Sequence, residues 1–212
     1  MADELPTSPS TSSRSPWFRS LRRWRALLLV LAVIAGAIAF YLAVRPSGAA
    51  STPAGGGVLP LDPQRNHSGR PPAAAIGRAA PDFRLTTLAG QPLRLSDLQG
   101  KTVLINFWAT WCPPCRQEMP EIVSAYARYR DRGFAVVSVD EQEDAGTVSK
   151  WVTEFGMQFP VVLDTSGQVG RAFRAGTQFP TSLFIGPNGI ITDIKYGPMD
   201  RQYLDQRLAR LP

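Results

Sequence analysis

Two cysteines three positions apart, Cys112 and Cys115, are the residues whose type and spacing most directly predict chemistry. They are the only cysteines in the 212-residue sequence, and they stand in the segment Trp-Cys-Pro-Pro-Cys. Such a pair can close an intramolecular disulfide and reopen it by thiol–disulfide exchange, in which a thiolate is the attacking species. The pattern therefore favours a redox-active dithiol.

Three other uses of the cysteine pair fit the sequence less well. A structural zinc site usually needs four ligands, whereas the chain offers two thiols and a single histidine, His67, far from them. A catalytic cysteine would need a histidine in its own domain, and His67 lies in a polar segment upstream. A purely structural disulfide would close too short a loop to stabilise the fold much. We therefore expect neither a metal nor an organic cofactor here.

The flanking elements predict how the cysteines are positioned. A strand-like apolar run precedes them, and apolar residues at helical spacing follow them. Cys112 then stands at a helix N-terminus, where unpaired N–H groups and the helix dipole stabilise a thiolate. Pro113 and Pro114 lack N–H groups, so we expect the Cys115 N–H to be the direct donor to the Cys112 sulfur. The resulting moderate stabilisation of the thiolate suits a reductant better than a strong oxidant.

The wider pattern predicts an α/β fold for residues 79–212. Strands and helices alternate and then close with a hairpin and a helix, which indicates a sandwich around a mixed sheet. The predicted strands cover 83–88, 91–95, 101–108, 134–139, 161–163, 181–185 and 190–196. The predicted helices cover about 113–131, 145–155, 168–174 and 200–211. The first two strands form an N-terminal β-hairpin.

The net charge of +6 comes from the N-terminal part of the sequence. Residues 1–25 and residues 45–78 each carry a net charge of +3, whereas residues 79–212 contain equal numbers of basic and acidic residues. No basic stripe with interleaved aromatic residues is present. We therefore expect no nucleic-acid partner.

An apolar run of 19 residues, 26–44, predicts a transmembrane signal anchor. At about 1.5 Å per residue it spans roughly 28 Å, close to the hydrocarbon thickness of a bilayer. Five arginines precede it, so the positive-inside rule keeps residues 1–25, a disordered basic tail, in the cytoplasm. A cleavable signal peptide is the alternative, although its apolar region usually runs about 7–15 residues.

Everything after the apolar run is then expected on the extracytoplasmic side of the cell membrane. Residues 45–78, rich in Pro, Gly and Ala, are predicted to be a linker. Residues 79–212 form the folded domain, in a compartment where disulfides form and persist.

The motifs resemble those of the thioredoxin-fold oxidoreductases. The segment 106–115, NFWATWCPPC, and the later Phe179-Pro180-Thr181 before a strand carry this resemblance. The N-terminal hairpin, a helix–strand insertion at about 141–165 and the membrane anchor are similar to the TlpA/ResA-like branch of cytochrome c maturation. The resemblance covers residues 79–212 and implies a thioredoxin-like three-layer sandwich.

The resemblance implies a role for each motif residue. Cys112 would attack the substrate and form a mixed disulfide, and Cys115 would resolve it, which leaves a redox-active Cys112–Cys115 disulfide. Pro180 would follow a cis peptide bond opposite the dithiol, and the Phe179 backbone would pair with a substrate segment like an added strand. The alternative for Pro180 is an ordinary proline at a strand start. The substrate-binding residues implied are Trp111, Pro113, Pro114, Phe179 and Pro180.

Glu118 resembles the acid that this branch carries near its cysteines. It lies three residues after Cys115, so it can share a helix face with that cysteine. A carboxylate there would raise the pKa of the thiols or move a proton to the resolving thiol. The alternative is an exposed glutamate on the helix surface. Asn106 stands where thioredoxin itself has a buried acid, which leaves the proton role to Glu118.

A run of residues rich in acids, 140–144, follows the strand after the CxxC helix. If that strand is parallel to the first, the acidic run lies at the same sheet edge as the cysteines and could select a basic partner. We favour a simpler interpretation, a solvated loop whose acids stabilise the N-terminus of the next helix.

The function implied is that of an extracytoplasmic thiol–disulfide oxidoreductase that reduces disulfides in exported proteins. The resemblance implies apocytochrome c as the substrate and a membrane thiol-transfer protein as the electron donor. A dithiol oxidant or isomerase and a non-catalytic redox-sensing binding module stay open as alternatives. A peroxidase fits less well, because Asn106 stands where the peroxidatic pattern requires proline.

Overall fold

The computed structural model describes residues 31–38, 56–209 and 211. The predicted tail, 1–25, lies outside these residues, as do residues 45–55 of the predicted linker and all of the predicted anchor except its middle. That middle, 31–38, is helical. Within the described parts of the chain, no helix combines the length and the apolar character needed to cross a membrane.

Residues 56–209 contain eight strands and four α-helices, named here in chain order. The strands are β1 (Gly56–Leu59), β2 (Asp82–Thr86), β3 (Pro92–Arg94), β4 (Thr102–Trp108), β5 (Phe134–Glu141), β6 (Val161–Asp164), β7 (Thr181–Ile185) and β8 (Ile191–Tyr196). The helices are α1 (Pro113–Tyr129), α2 (Ala145–Phe155), α3 (Gln168–Ala172) and α4 (Arg201–Leu208). The predicted elements are therefore present, although α4 is shorter than the predicted helix 200–211.

The central sheet is mixed, with the strand order β6-β5-β4-β7-β8. β4 pairs parallel with β5 and antiparallel with β7, and β7 forms the closing hairpin with β8. The parallel pairing of the two strands that flank the CxxC helix is confirmed. Since Trp108 pairs with Asp140 at the ends of these strands, the loops after β4 and β5 leave the same edge of the sheet.

Helices and a second sheet cover the two faces of the central sheet. Alternate side chains of a strand point to opposite faces, and β4 follows this rule with an almost entirely buried sequence. Leu104 packs in a core with residues of α1, α2 and α4. Ile105 and Phe107 pack in another core with residues of β2 and α3. The result is the predicted three-layer α/β arrangement.

The folded region begins earlier than residue 79. β1 pairs antiparallel with β2, so the predicted N-terminal hairpin is part of a three-stranded sheet with the order β1-β2-β3. Further along, the Arg65 guanidinium donates to the Ser96 carbonyl at 2.5 Å, and the Gly77 N–H donates to the Ile191 carbonyl at 2.9 Å. Residues 56–78 therefore pack on the domain, whereas the sequence predicted a linker. The short, glycine-rich β1 has too little alternation to be recognised as a strand.

Asp82 holds the N-terminal sheet to the turn that follows it. Its carboxylate is 1% exposed, pairs with the Arg94 Nε at 2.7 Å and accepts from the Ser96 N–H at 3.0 Å. A buried carboxylate with two such partners contributes more than a solvent-exposed ion pair. The nearby pair of Arg65 and Asp97 is exposed, with 64% of the Asp97 side chain accessible.

We expect Asp82→Ala to lower the free energy of unfolding by about 1–3 kcal/mol, because it leaves the buried Ser96 N–H without its acceptor. The matched control, Asp97→Ala, should change it by less than about 1 kcal/mol. Urea denaturation of both variants measures the difference. Equal losses in the two variants would contradict the role assigned to Asp82.

Candidate active site

The CxxC motif lies where the loop after β4 enters α1. Cys112 is the N-cap of α1, and a disulfide joins it to Cys115 with a Cα–Cα distance of 5.3 Å. The Cys115 N–H donates to the Cys112 Sγ at 3.2 Å, which is the donor expected from the two prolines. Cys112 is 3% exposed and Cys115 is fully buried. The first cysteine is therefore the one nearer to solvent.

An open cleft of about 460 Å³ adjoins the disulfide. Trp111, Pro113, Pro114 and Phe179 line it together with Cys112. Trp111 is 67% exposed, and its ring meets that of Phe179 edge to face with 5.6 Å between the centroids. We call these two residues the aromatic wall. Four of the five residues predicted to bind substrate thus share one cleft, but substrate binding itself stays a prediction.

The fifth residue, Pro180, directly follows the aromatic wall. The peptide bond between Phe179 and Pro180 is cis, which is the geometry that the resemblance implied. The Pro180 ring is buried, and its carbonyl accepts from the Gly197 N–H at 2.9 Å. The segment before β7 is therefore held against the end of β8.

Glu118 is buried, so the alternative of an exposed helix-surface glutamate is wrong. It is 1% exposed, and its carboxylate accepts from the Asn106 Nδ2 at 2.7 Å and from the Met199 N–H at 3.0 Å. The Asn106 Nδ2 also donates to the Ser182 Oγ at 2.9 Å. One carboxyl group thereby connects β4, α1 and the segment before α4. The sequence pointed to both Asn106 and Glu118, but not to their contact.

The environment of Glu118 favours its neutral form. Burial raises the pKa of Glu118 to about 7, although hydrogen bonds from Asn106 and Met199 and the charge of Lys195 oppose the rise. A carboxyl group with such a pKa can take up or release a proton near neutral pH. Glu118 lies three residues after Cys115 on α1, so the two residues share a helix face. A proton transfer between them stays a prediction.

The acidic run divides into a solvated part and a buried part. Asp144 caps α2, and its carboxylate accepts from two backbone N–H groups at 2.9 and 3.0 Å, as the favoured interpretation predicted. That interpretation is wrong for Asp140 and Glu141, which are 0% and 5% exposed. Burial, reinforced by Glu143, raises the pKa of Asp140 to about 8. Burial, reinforced by the charge of Asp164, raises the pKa of Glu141 to about 7.

The acidic run also contributes to the cleft beside the disulfide. Glu141, Gln142 and Glu143 line it together with residues of the CxxC segment, and Glu143 contacts Thr110 just before that segment. The expected parallel pairing of β4 and β5 placed the acidic run at this sheet edge, but Glu143 was not among the predicted site residues because the solvated loop was the favoured interpretation. Within the described residues, no group of three or more His, Cys, Asp or Glu side chains could hold a metal ion.

Comparison with known proteins gives consistent similarities. Residues 76–194 match the AhpC/TSA family. The thiol-disulfide oxidoreductase ResA of Geobacillus kaustophilus is 40% identical over 139 residues, which cover 66% of this chain and 79% of that protein. The ResA of Oceanobacillus iheyensis is 39% identical over 134 residues, which cover 61% of this chain and 69% of that protein.

Solved structures support the same fold. A thiol:disulfide interchange protein of the thioredoxin family from Chlorobium tepidum has a TM-score of 0.58 and 31% identity, and the match covers 67% of this chain and 97% of that one. A secreted disulfide oxidoreductase of Mycobacterium tuberculosis, homologous to E. coli DsbE, has a TM-score of 0.55 and 27% identity, covering 61% and 96% of the two chains. The three-layer arrangement is therefore the predicted thioredoxin-like fold.

The stability of the disulfide form should fall as the pH rises from about 5 to 8. The folded state binds the proton of Glu118 more tightly than the unfolded chain does, because the pKa rises from 4.5 to about 7. This contribution is complete below the lower value and is lost as the pH passes the higher one. Asp140 and Glu141 act in the same direction. The share of Glu118 is on the order of 3–4 kcal/mol, at about 1.4 kcal/mol per pKa unit.

Chemical denaturation of the wild type and of Glu118→Gln across this pH range measures that share. The variant should have the shallower dependence, whereas Glu121→Gln, a control for a half-buried glutamate on the same helix, should keep the slope of the wild type. Identical slopes for Glu118→Gln and the wild type would contradict the raised pKa of Glu118.

Proposed function

This chain belongs to the AhpC/TSA family and is a thiol–disulfide oxidoreductase of the ResA type, and we propose that it acts outside the cytoplasm as a reductant of disulfides in exported proteins. The observation that carries the proposal is the Cys112–Cys115 disulfide at the start of α1, beside an open cleft. A protein segment can approach Cys112 through this cleft, whereas Cys115 is buried.

The reaction transfers two electrons and two protons to the substrate. The Cys112 thiolate attacks one sulfur of the substrate disulfide, so that the substrate S–S bond breaks and a mixed disulfide forms, and the leaving sulfur is protonated. The Cys115 thiolate then attacks the Cys112 sulfur, which releases the second substrate sulfur as a thiol once it takes a proton. The enzyme is left with the Cys112–Cys115 disulfide, and a dithiol donor reduces it again.

Glu118 serves as the proton acceptor for Cys115 in this proposal. The resolving step needs a thiolate at a fully buried cysteine, where water is not at hand to remove the proton. A carboxylate with a pKa of about 7, three residues further along α1, supports this role. Asn106 and Met199 hold the carboxylate in place through their hydrogen bonds.

The surroundings of Cys112 support a reductant. A dithiol becomes a strong oxidant when its reduced thiolate is strongly stabilised. Here Pro113 and Pro114 offer no N–H groups, and the donor to the Cys112 sulfur is the Cys115 N–H at 3.2 Å. Glu143 lines the cleft beside it, and a negatively charged carboxylate there disfavours a thiolate.

Sequence features support the compartment and the partners. The apolar run 26–44 with its preceding arginines suits an anchor that exports the domain, and one protein of similar structure is described as secreted. The resemblance to the cytochrome c maturation branch points to apocytochrome c as a substrate and to a membrane thiol-transfer protein as the donor. Alkaline phosphatase fused after Arg78 tests the compartment, since it should be active outside the cytoplasm and inactive inside it.

The reduction potential of the Cys112–Cys115 pair distinguishes the two directions of electron flow. We expect a value well below about −200 mV, as for reducing members of this class, and a Cys112 pKa well above about 4. Equilibration with glutathione or dithiothreitol buffers measures the first quantity, and thiolate absorbance measures the second. A potential near about −120 mV would favour the dithiol oxidant instead. The absence of any turnover with a protein disulfide would favour the redox sensor.

Trapping in the native membrane tests the order of the two cysteines. Cys115→Ala should accumulate a mixed disulfide on Cys112, because the resolving thiol is gone, and the mass of the adduct identifies the substrate. Cys112→Ala is the matched control and should accumulate none. If Cys115→Ala captures no partner while the wild type turns over, the assigned order is wrong.

A further inference from the structure

A carboxylate in the loop between β5 and α2 forms two hydrogen bonds with Thr110, which lies two positions before Cys112. The Glu143 Oε2 accepts from the Thr110 N–H at 2.5 Å, and the Glu143 Oε1 accepts from the Thr110 Oγ1 at 2.6 Å. Both residues are half-buried. Two short hydrogen bonds from one planar group fix both the position and the orientation of Thr110.

Glu143 is itself held on both sides. Its N–H donates to the Oδ1 of the buried Asp140 at 3.2 Å, and the next residue, Asp144, caps α2. Gln142, just before it, has a left-handed φ of 65°, a conformation that costs energy for a residue other than glycine. The loop between β5 and α2 is thus a tight turn that presents the Glu143 carboxylate to Thr110.

Trp111, the residue after Thr110, needs such support. Its side chain is 67% exposed, and its ring meets Phe179 only at an edge, with 5.6 Å between the centroids and 71° between the planes. A single edge contact restrains a large aromatic side chain only weakly. The position of the Trp111 ring therefore depends also on the backbone that carries it, which continues directly from Thr110.

We propose that Glu143 is a positioning residue that acts through Thr110 to keep Trp111 against Phe179, so that the aromatic wall is preformed for a protein substrate. A preformed wall lowers the ordering entropy that a protein segment must overcome when it binds. This inference rests on the proposed reduction of protein disulfides. It concerns the binding of the protein segment, whereas a small disulfide reagent needs only access to Cys112.

Three variants distinguish a positioning role of Glu143 from an effect of its charge. Glu143→Ala removes both hydrogen bonds. Glu143→Gln removes the charge but can keep both, because its oxygen can accept from the Thr110 N–H while its NH₂ group donates to the Thr110 hydroxyl. Thr110→Val removes the hydroxyl bond and leaves the backbone bond, and it serves as a second probe should Glu143→Ala fail to fold.

The measurements are insulin reduction under steady-state conditions and the reaction of the reduced enzyme with 5,5′-dithiobis(2-nitrobenzoate). In Glu143→Ala we expect KM for insulin to rise about 5–10-fold with kcat within about twofold. The rate constant with the small disulfide should stay within about twofold. Thr110→Val should show a smaller rise in KM, and Glu143→Gln should resemble the wild type.

A double-mutant cycle with Trp111→Ala completes the test. If Glu143 acts through Trp111, adding Glu143→Ala to Trp111→Ala should raise KM no further. Additive effects, an unchanged KM in Glu143→Ala, or equal impairment by Glu143→Gln would each overturn the inference. So would an equal loss with the small disulfide, which signals general loosening. Failure of the wild type to reduce insulin would instead count against the proposed function.

Discussion

The parallel pairing of β4 with β5 is the constraint on which the rest of the site depends. It sets Trp108 beside Asp140, so that the chain leaves both strands at one edge of the sheet. One exit leads to the two cysteines, and the other leads to the acidic run. Both strands are buried on both faces, and a shift in register would move their apolar side chains out of the two cores. The pairing therefore fixes the position of the cysteines relative to the acidic run.

Buried carboxyl groups give this site its electrostatic character. Glu118, Asp140 and Glu141 all lose the hydration that favours their charged form, and each has a raised pKa for that reason. Hydrogen bonds offset part of the cost for Glu118, whose two oxygens each have a donor. Two of these groups lie near the cysteines, Glu118 on the same helix and Glu141 in the lining of the cleft.

Elements with strong local patterns could be predicted from the sequence, and contacts between distant segments could not. β4 is apolar at every position except Thr102 and Asn106, and the helix predicted at about 145–155, after an acidic run, matches the observed α2. β1 escaped notice because its pairing partner lies about two dozen residues away and two of its four residues are glycine. The burial of Asp140 and Glu141 depends on how helices cover the sheet, whereas their acidic residue types suggest exposed side chains. The hydrogen bond from the Met199 N–H to Glu118 could not be predicted either, because residue types do not show which backbone N–H groups act as donors.

The Met199 N–H links the segment before α4 to Glu118, on the helix that carries both cysteines at its start. The Met199 N–H is one of two donors to the Glu118 carboxylate, and Leu204 and Leu208 of α4 share a core with both cysteines. The last turns of the chain are thus more than a cover for the sheet. A fused domain, proteolytic trimming or a docking protein that displaces α4 would disturb the neighbouring segment that supplies one of the two donors to the Glu118 carboxylate. The hydrogen bonding of this buried group would then change although nothing had entered the cleft.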